Sequence, residues 1–122
     1  MKTDLVTWNP GNVNIFATSH EKEMKIWDVR KVNEGAALQT MTLNNTGTVN
    51  KMQFDPIFGK LLMAHDKNMI RLFSVEQGTE LDHYKLTNNK QLSTVQFLPL
   101  TRQAATPGII ALPKRSHNFL YF

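Results

Sequence analysis

The chain has 122 residues, 41% of them hydrophobic and 20% charged, which suits one globular unit and is short for two. It contains no cysteine, so a disulfide framework, a thiolate metal site and a cysteine nucleophile are excluded, and a cytoplasmic, reducing setting is expected. No stretch approaches the roughly 18 consecutive apolar residues of a membrane helix, and Asp4 and Pro10 interrupt the N-terminus before a signal-peptide core could form. The net charge of +4 is a modest excess, first of all a solubility feature and only secondarily a pointer to acidic partners.

In chain order, the first segments of strand length and β-branched or aromatic content are Leu5–Trp8, Ile15–Ser19, Lys25–Val29 and Ala37–Leu43. They are divided by Asn-Pro-Gly-Asn, His-Glu-Lys-Glu and Asn-Glu-Gly, all turn chemistry. A second set follows at Val49–Phe54, Lys60–Ala64, Met69–Val75 and Leu81–Leu86. No amphipathic helical period of useful length appears.

These two sets are copies of one unit. Trp8 aligns with Phe54, Pro10 with Pro56 and Trp27 with Phe73, each pair 46 positions apart. A third copy begins at "LSTVQFLPL", where Phe97 and Pro99 lie 43 positions after Phe54 and Pro56, and it ends at Phe122 in the place of Trp27 and Phe73. Four strands per unit of roughly 40 to 45 residues, with Trp27-Asp28 closing the third strand, is the pattern of a β-propeller blade of the WD-repeat kind. The expected fold is all-β: a propeller segment of about two and three-quarter blades over residues 1–43, 44–87 and 88–122, the last lacking its outer strand.

Resemblance to WD-repeat blades implies a structural network. Their third-strand aromatic is commonly tied to a Ser or Thr on the second strand and an acidic residue in the turn between them. The matching residues are Trp27, Thr18 or Ser19, and Glu21. In the second unit Phe73 has no N–H to donate and Asp66 is displaced by one residue, so that network is expected to be incomplete.

Within this class, residues 26–78, with their Trp-Asp strand, Asn-Asn-Thr-Gly turn and Phe-Asp-Pro corner, resemble the penultimate blades of coronins. "GIIALPKRS" (108–116) resembles the Pro-Lys-Arg segment that follows those blades. The resemblance implies an actin-filament-associated cytoskeletal protein, with Lys25, Arg30, Lys31, Lys114 and Arg115 as a basic contact surface. Beside it stand a generic WD-repeat adaptor of a multiprotein complex and a basic binder of nucleic acid or anionic lipid. Nucleic acid is disfavoured, because Trp27, Phe73 and Phe122 align as packing residues instead of base-stacking platforms.

Catalysis is not expected, and neither is a cofactor. His20, His65, His83 and His117 show no metal-ligand spacing, and Asp4, Asp55 and Asp82 sit singly near turns, where bonds to backbone N–H groups are their expected role. Gly59 and Gly78 are isolated turn glycines without a phosphate-loop pattern, and no Gly-x-Ser-x-Gly elbow is present.

Fewer than three blades cannot close a ring that needs at least four. Leu61, Met63, Ile70 and Leu72 are expected on a partly open face, where roughly 400 Å² of uncovered apolar surface forfeits about 10 kcal/mol. The missing blades are expected from a longer chain, another subunit or self-association.

Overall fold

The structure is a computed structural model that describes residues 4–43, 49–85, 92–97, 109–113 and 120–121. Pro99, Lys114, Arg115, His117 and Phe122, singled out above, lie outside the described residues. Within them the chain is all-β apart from one short 3-10 helix.

The first antiparallel sheet holds β1 (Leu5–Trp8), β2 (Ile15–His20), β3 (Glu23–Asp28) and β4 (Gln39–Thr42), in that order. The second repeats it with β5 (Lys51–Phe54), β6 (Leu61–His65), β7 (Met69–Ser74) and β8 (Glu80–Lys85). A third holds β9 (Leu92–Phe97), β10 (Ile109–Pro113) and β11 (Leu120–Tyr121) in the order β11-β10-β9. The repeat holds at the level of register: Trp8 faces Phe16, Phe54 faces Leu62, and Phe97 faces Ile109. On the next strand Phe16 faces Trp27 as Leu62 faces Phe73.

Successive residues of a strand alternate between faces, so the second sheet presents one apolar surface to each of its two neighbours. Ile15, Ala17, Met24, Ile26 and Met41 of the first sheet pack on Met52, Phe54, Leu62, Ala64 and Phe73 of the second. Met63 and Ile70 on the other face of the second sheet are fully buried against Leu92, Val95, Phe97, Ile109 and Ala111, with Leu61 and Leu72 at the margin. The open face is therefore not the one expected from sequence: the third sheet buries Met63 and Ile70 and partly covers Leu61 and Leu72. On the first sheet Val6 is 65% and Trp8 56% exposed.

Strand ends move by one or two residues where turn chemistry competes. The third strand of the first sheet stops at Asp28 and not at Val29, because Val29 opens the 3-10 helix Val29–Glu34. Gly35 ends that helix at φ 73°. β4 is shorter than the Ala37–Leu43 run, and the outer strand β8 starts at Glu80 and is almost wholly exposed.

Candidate interaction surfaces

The Trp-Asp pair splits its duties between two elements. Trp27 Nε1 donates to Thr18 Oγ1 at 3.0 Å, a bond that crosses β2 and β3 on the open face of the first sheet. Thr18 therefore takes this place, since Ser19 points to the opposite face, where its Oγ is buried with no partner among the described residues. Glu21 occupies the β2–β3 turn at φ 54°, with its carboxylate 3.9 Å from His20 Nε2. In the second sheet Ala64 replaces the hydroxyl and Phe73 the indole, so apolar packing replaces the polar pair, a swap that costs little when both partners change together. Asp66 ties its own turn, its Oδ1 accepting from the Asn68 and Met69 backbone N–H groups at 2.9 Å each.

Asp28 caps the 3-10 helix. Its Oδ1 accepts from Arg30 N at 2.9 Å and Arg30 Nε at 3.0 Å, and its Oδ2 from Arg30 Nη2 at 2.7 Å. This fork of charge-assisted bonds from Arg30 holds the Asp28 carboxyl down from its ordinary 3.8 to about 2. Two guanidinium N–H groups of Arg30 are thereby held by Asp28, while the side chain stays 65% exposed. Of the basic set read from sequence, Arg30 and Lys31 share the helix. Lys25 sits apart on the sheet face, with its Nζ 5.8 Å over the Trp27 ring and 4.0 Å from Glu23.

The histidines are dispersed. His20 Nδ1 is 2.8 Å from Asp4 Oδ1, and His83 Nδ1 is 3.5 Å from Glu80. His65 is buried and donates from Nδ1 to the Asp66 carbonyl at 3.0 Å; burial first, and the nearby Lys51 charge, push its pKa below the ordinary 6.5. No group of three or more metal-ligating side chains occurs among the described residues.

Two acid-sensitive limbs follow. Above pH 6.5 His65 is neutral in both states; below it the unfolded chain takes up a proton that the folded chain resists, so stability falls. Asp28 adds stability that is full above 3.8 and is lost as the pH falls towards about 2. Urea midpoints measured against pH are expected to show both limbs, with His65→Gln flattening the first and Asp28→Asn the second.

The seam between the first two sheets also carries a cleft that the sequence reading missed. Asn9, buried in the β1–β2 turn, donates from Nδ2 to Gly59 O at 2.8 Å, while its Oδ1 accepts from Gly11 N at 2.8 Å. At the equivalent place Asp55 accepts from the backbone N–H groups of Ile57, Phe58, Lys60 and Leu61 at 2.6–3.2 Å. Burial alone would raise the Asp55 carboxyl, but these donors outweigh it and hold it below the ordinary range. Farther out, Gln39 Nε2 donates to Glu76 O at 2.8 Å. Between these ties lies a cleft of about 690 Å³, floored by Ile15, Ile26 and Val75 and walled by Leu38 and Phe58. A sequence signal for it was an apolar residue within a turn, at Phe58.

The fold superposes, over 95% of this chain and 33% of the other, on a chain in the crystal structure of the mitotic checkpoint complex, with a TM-score of 0.69 at 16% identity. The chain thus has the fold of an open segment of a WD-repeat β-propeller, with two four-stranded blades and a further three-stranded sheet. In sequence it is 27% identical over 118 residues to an uncharacterized RWD, RING finger and WD repeat-containing protein of Schizosaccharomyces pombe. That match takes in 95% of this chain and 8% of the relative's length. No family model matches. No helix among the described residues is long and apolar enough to cross a membrane.

Proposed function

We propose that this chain is a non-enzymatic, protein-binding scaffold segment whose first blade is completed by the face of another blade. One observation carries the reading. Val6, Trp8, Phe16 and Trp27 stand where Met52, Phe54, Leu62 and Phe73 stand in the second blade, and those four are buried beneath the first. Three of their counterparts form an aromatic ladder, Trp8 to Phe16 at 5.0 Å and Phe16 to Trp27 at 6.3 Å, with no second sheet over it among the described residues. Burying each such side chain contributes about 1.5–3 kcal/mol, so the face favours association. Light scattering of the purified chain is expected to show concentration-dependent association that Trp8→Lys weakens. A monomer at every concentration, identical for the two proteins, would count against the reading.

The resemblance of residues 26–78 and 108–116 to coronin blades supports a narrower form, in which the scaffold serves an actin filament in the cytoplasm. Co-sedimentation with filaments at low salt tests it. Pelleting that fades as salt rises is expected of a contact made by Lys25, Arg30 and Lys31. Failure to pellet would leave the general scaffold reading and remove actin from it.

A further inference from the structure

The exposed apolar residues fall into two groups with different causes. Val6 and Trp8 are open for want of a neighbouring blade. Leu38, 45% exposed, and Phe58, 57% exposed, are not: both blades that build their cleft are present. A ring completed around this segment would add sheets to the open face of the first blade and leave that cleft between the first two. Its walls are also fixed in advance by the Asn9–Gly59 and Gln39–Glu76 bonds that cross the seam and by the four donors around Asp55. A pre-ordered cleft spends little free energy on ordering when it binds.

We propose that this cleft docks an extended peptide, which inserts one apolar side chain between Leu38 and Phe58 and sets an acidic residue beside Lys60. The proposal rests on the scaffold reading and gives it a second, separate surface. The lining selects the ligand class. Ile15, Ile26 and Val75 give an apolar floor, and the rim is polar, with Asn12, Gln39, Lys60 and Glu76. A purely apolar ligand would strip water from that rim without replacing its hydrogen bonds. A nucleic acid needs several cations along its backbone, whereas the lining holds one lysine opposed by one glutamate. A peptide supplies an apolar anchor and a polar backbone together, and a volume of about 690 Å³ holds an anchor with its flanking residues. Lys60 Nζ lies 6.0 Å over the Phe58 ring, so a carboxylate next to the anchor meets the cation at the wall that grips it. Glu76 favours a basic residue on the other side.

The test uses the whole 122-residue chain and short synthetic peptides in which a central Leu, Ile, Phe or Gly is flanked by Asp and Lys in either order, read by fluorescence anisotropy. Peptides with an apolar centre are expected to bind at least about tenfold more tightly than the Gly peptide, with one flanking order preferred. Leu38→Asp and Phe58→Asp should each weaken binding by about tenfold or more, and Lys60→Glu should abolish the preference for one order, because acidic groups would then stand on both sides of the anchor. All three positions are exposed, so circular dichroism is expected to show an intact fold. Equal binding of the Gly peptide, no binding up to about 1 mM, or indifference to Leu38→Asp and Phe58→Asp would overturn the proposal. So would an RNA oligonucleotide or anionic vesicle that displaces the peptides and loses its own binding on Phe58→Asp. Trp8→Lys separates the two surfaces. Peptide binding that survives this change places the cleft apart from the open face, and peptide binding lost with it would overturn the cleft assignment.

Discussion

Gly59→Ala is expected to lower stability by about 3 kcal/mol or more and to shift the thermal midpoint down by about 10 °C or more. Gly59 sits at φ 66°, and a Cβ there would lie 1.7 Å from Asn9 Oδ1 and 2.5 Å from Asn9 Cγ. The left-handed backbone alone costs a non-glycine residue about 1–2 kcal/mol. The overlap adds to it, because Asn9 is buried and held at both ends, by Gly59 O and Gly11 N, so it can move aside only by giving up those bonds. Moving it breaks two bonds and strands buried polar atoms, at about 1–3 kcal/mol. Gly35→Ala is the control. Its φ is 73°, but nothing lies within 4 Å of the added methyl, so only the backbone cost of about 1–2 kcal/mol is expected. Thermal unfolding of the two variants side by side separates strain from seam contact, and equal losses would contradict the lock described for Asn9.

Asp55→Ala is expected to be as damaging, at about 3–5 kcal/mol, since it removes the acceptor from four backbone N–H groups at once. Asp55→Asn should fall between the variant and wild type. Its amide keeps one acceptor oxygen and turns an NH2 group towards two donors. Acid should reproduce part of this loss in the wild-type chain. The Asp55 carboxyl titrates below its ordinary 3.8 in the folded state, so its contribution is complete above that value and disappears as the pH falls through the folded pKa. Urea titrations at neutral and acidic pH check both points: Asp55→Ala should lose less stability on acidification than wild type does. Because the same turn carries Phe58, a destabilised Asp55 variant should also lose the cleft's peptide affinity.

Much of the architecture is legible from residues alone. The Trp8–Phe54–Phe97 spacing, the alternation along each run and the turn chemistry of Asn-Pro-Gly-Asn are local signals, and local signals set strand identity, order and facing. Tryptophan followed by aspartate marks a strand end for a local reason as well: Asp28 accepts the Arg30 N–H two residues on and starts a helical turn. What that reading missed was where charge is already satisfied. Arg30 is exposed and basic in sequence, and its guanidinium is paired with Asp28, a partner that a count of cations does not show. Lys51, equally basic, sends its Nζ across a seam to the Val95 carbonyl at 3.0 Å, a partner 44 residues away.

Periodicity and turn chemistry are properties of neighbouring residues, so the repeat and the blade class could be read from residues alone. Which faces meet was settled only by folding. It put Met63 and Ile70 under the third sheet, left Trp8 bare, and opened a cleft between Leu38 and Phe58. These outcomes depend on how side chains tens of residues apart fill or fail to fill a shared seam. Burial is a property of that pairing and not of any one strand.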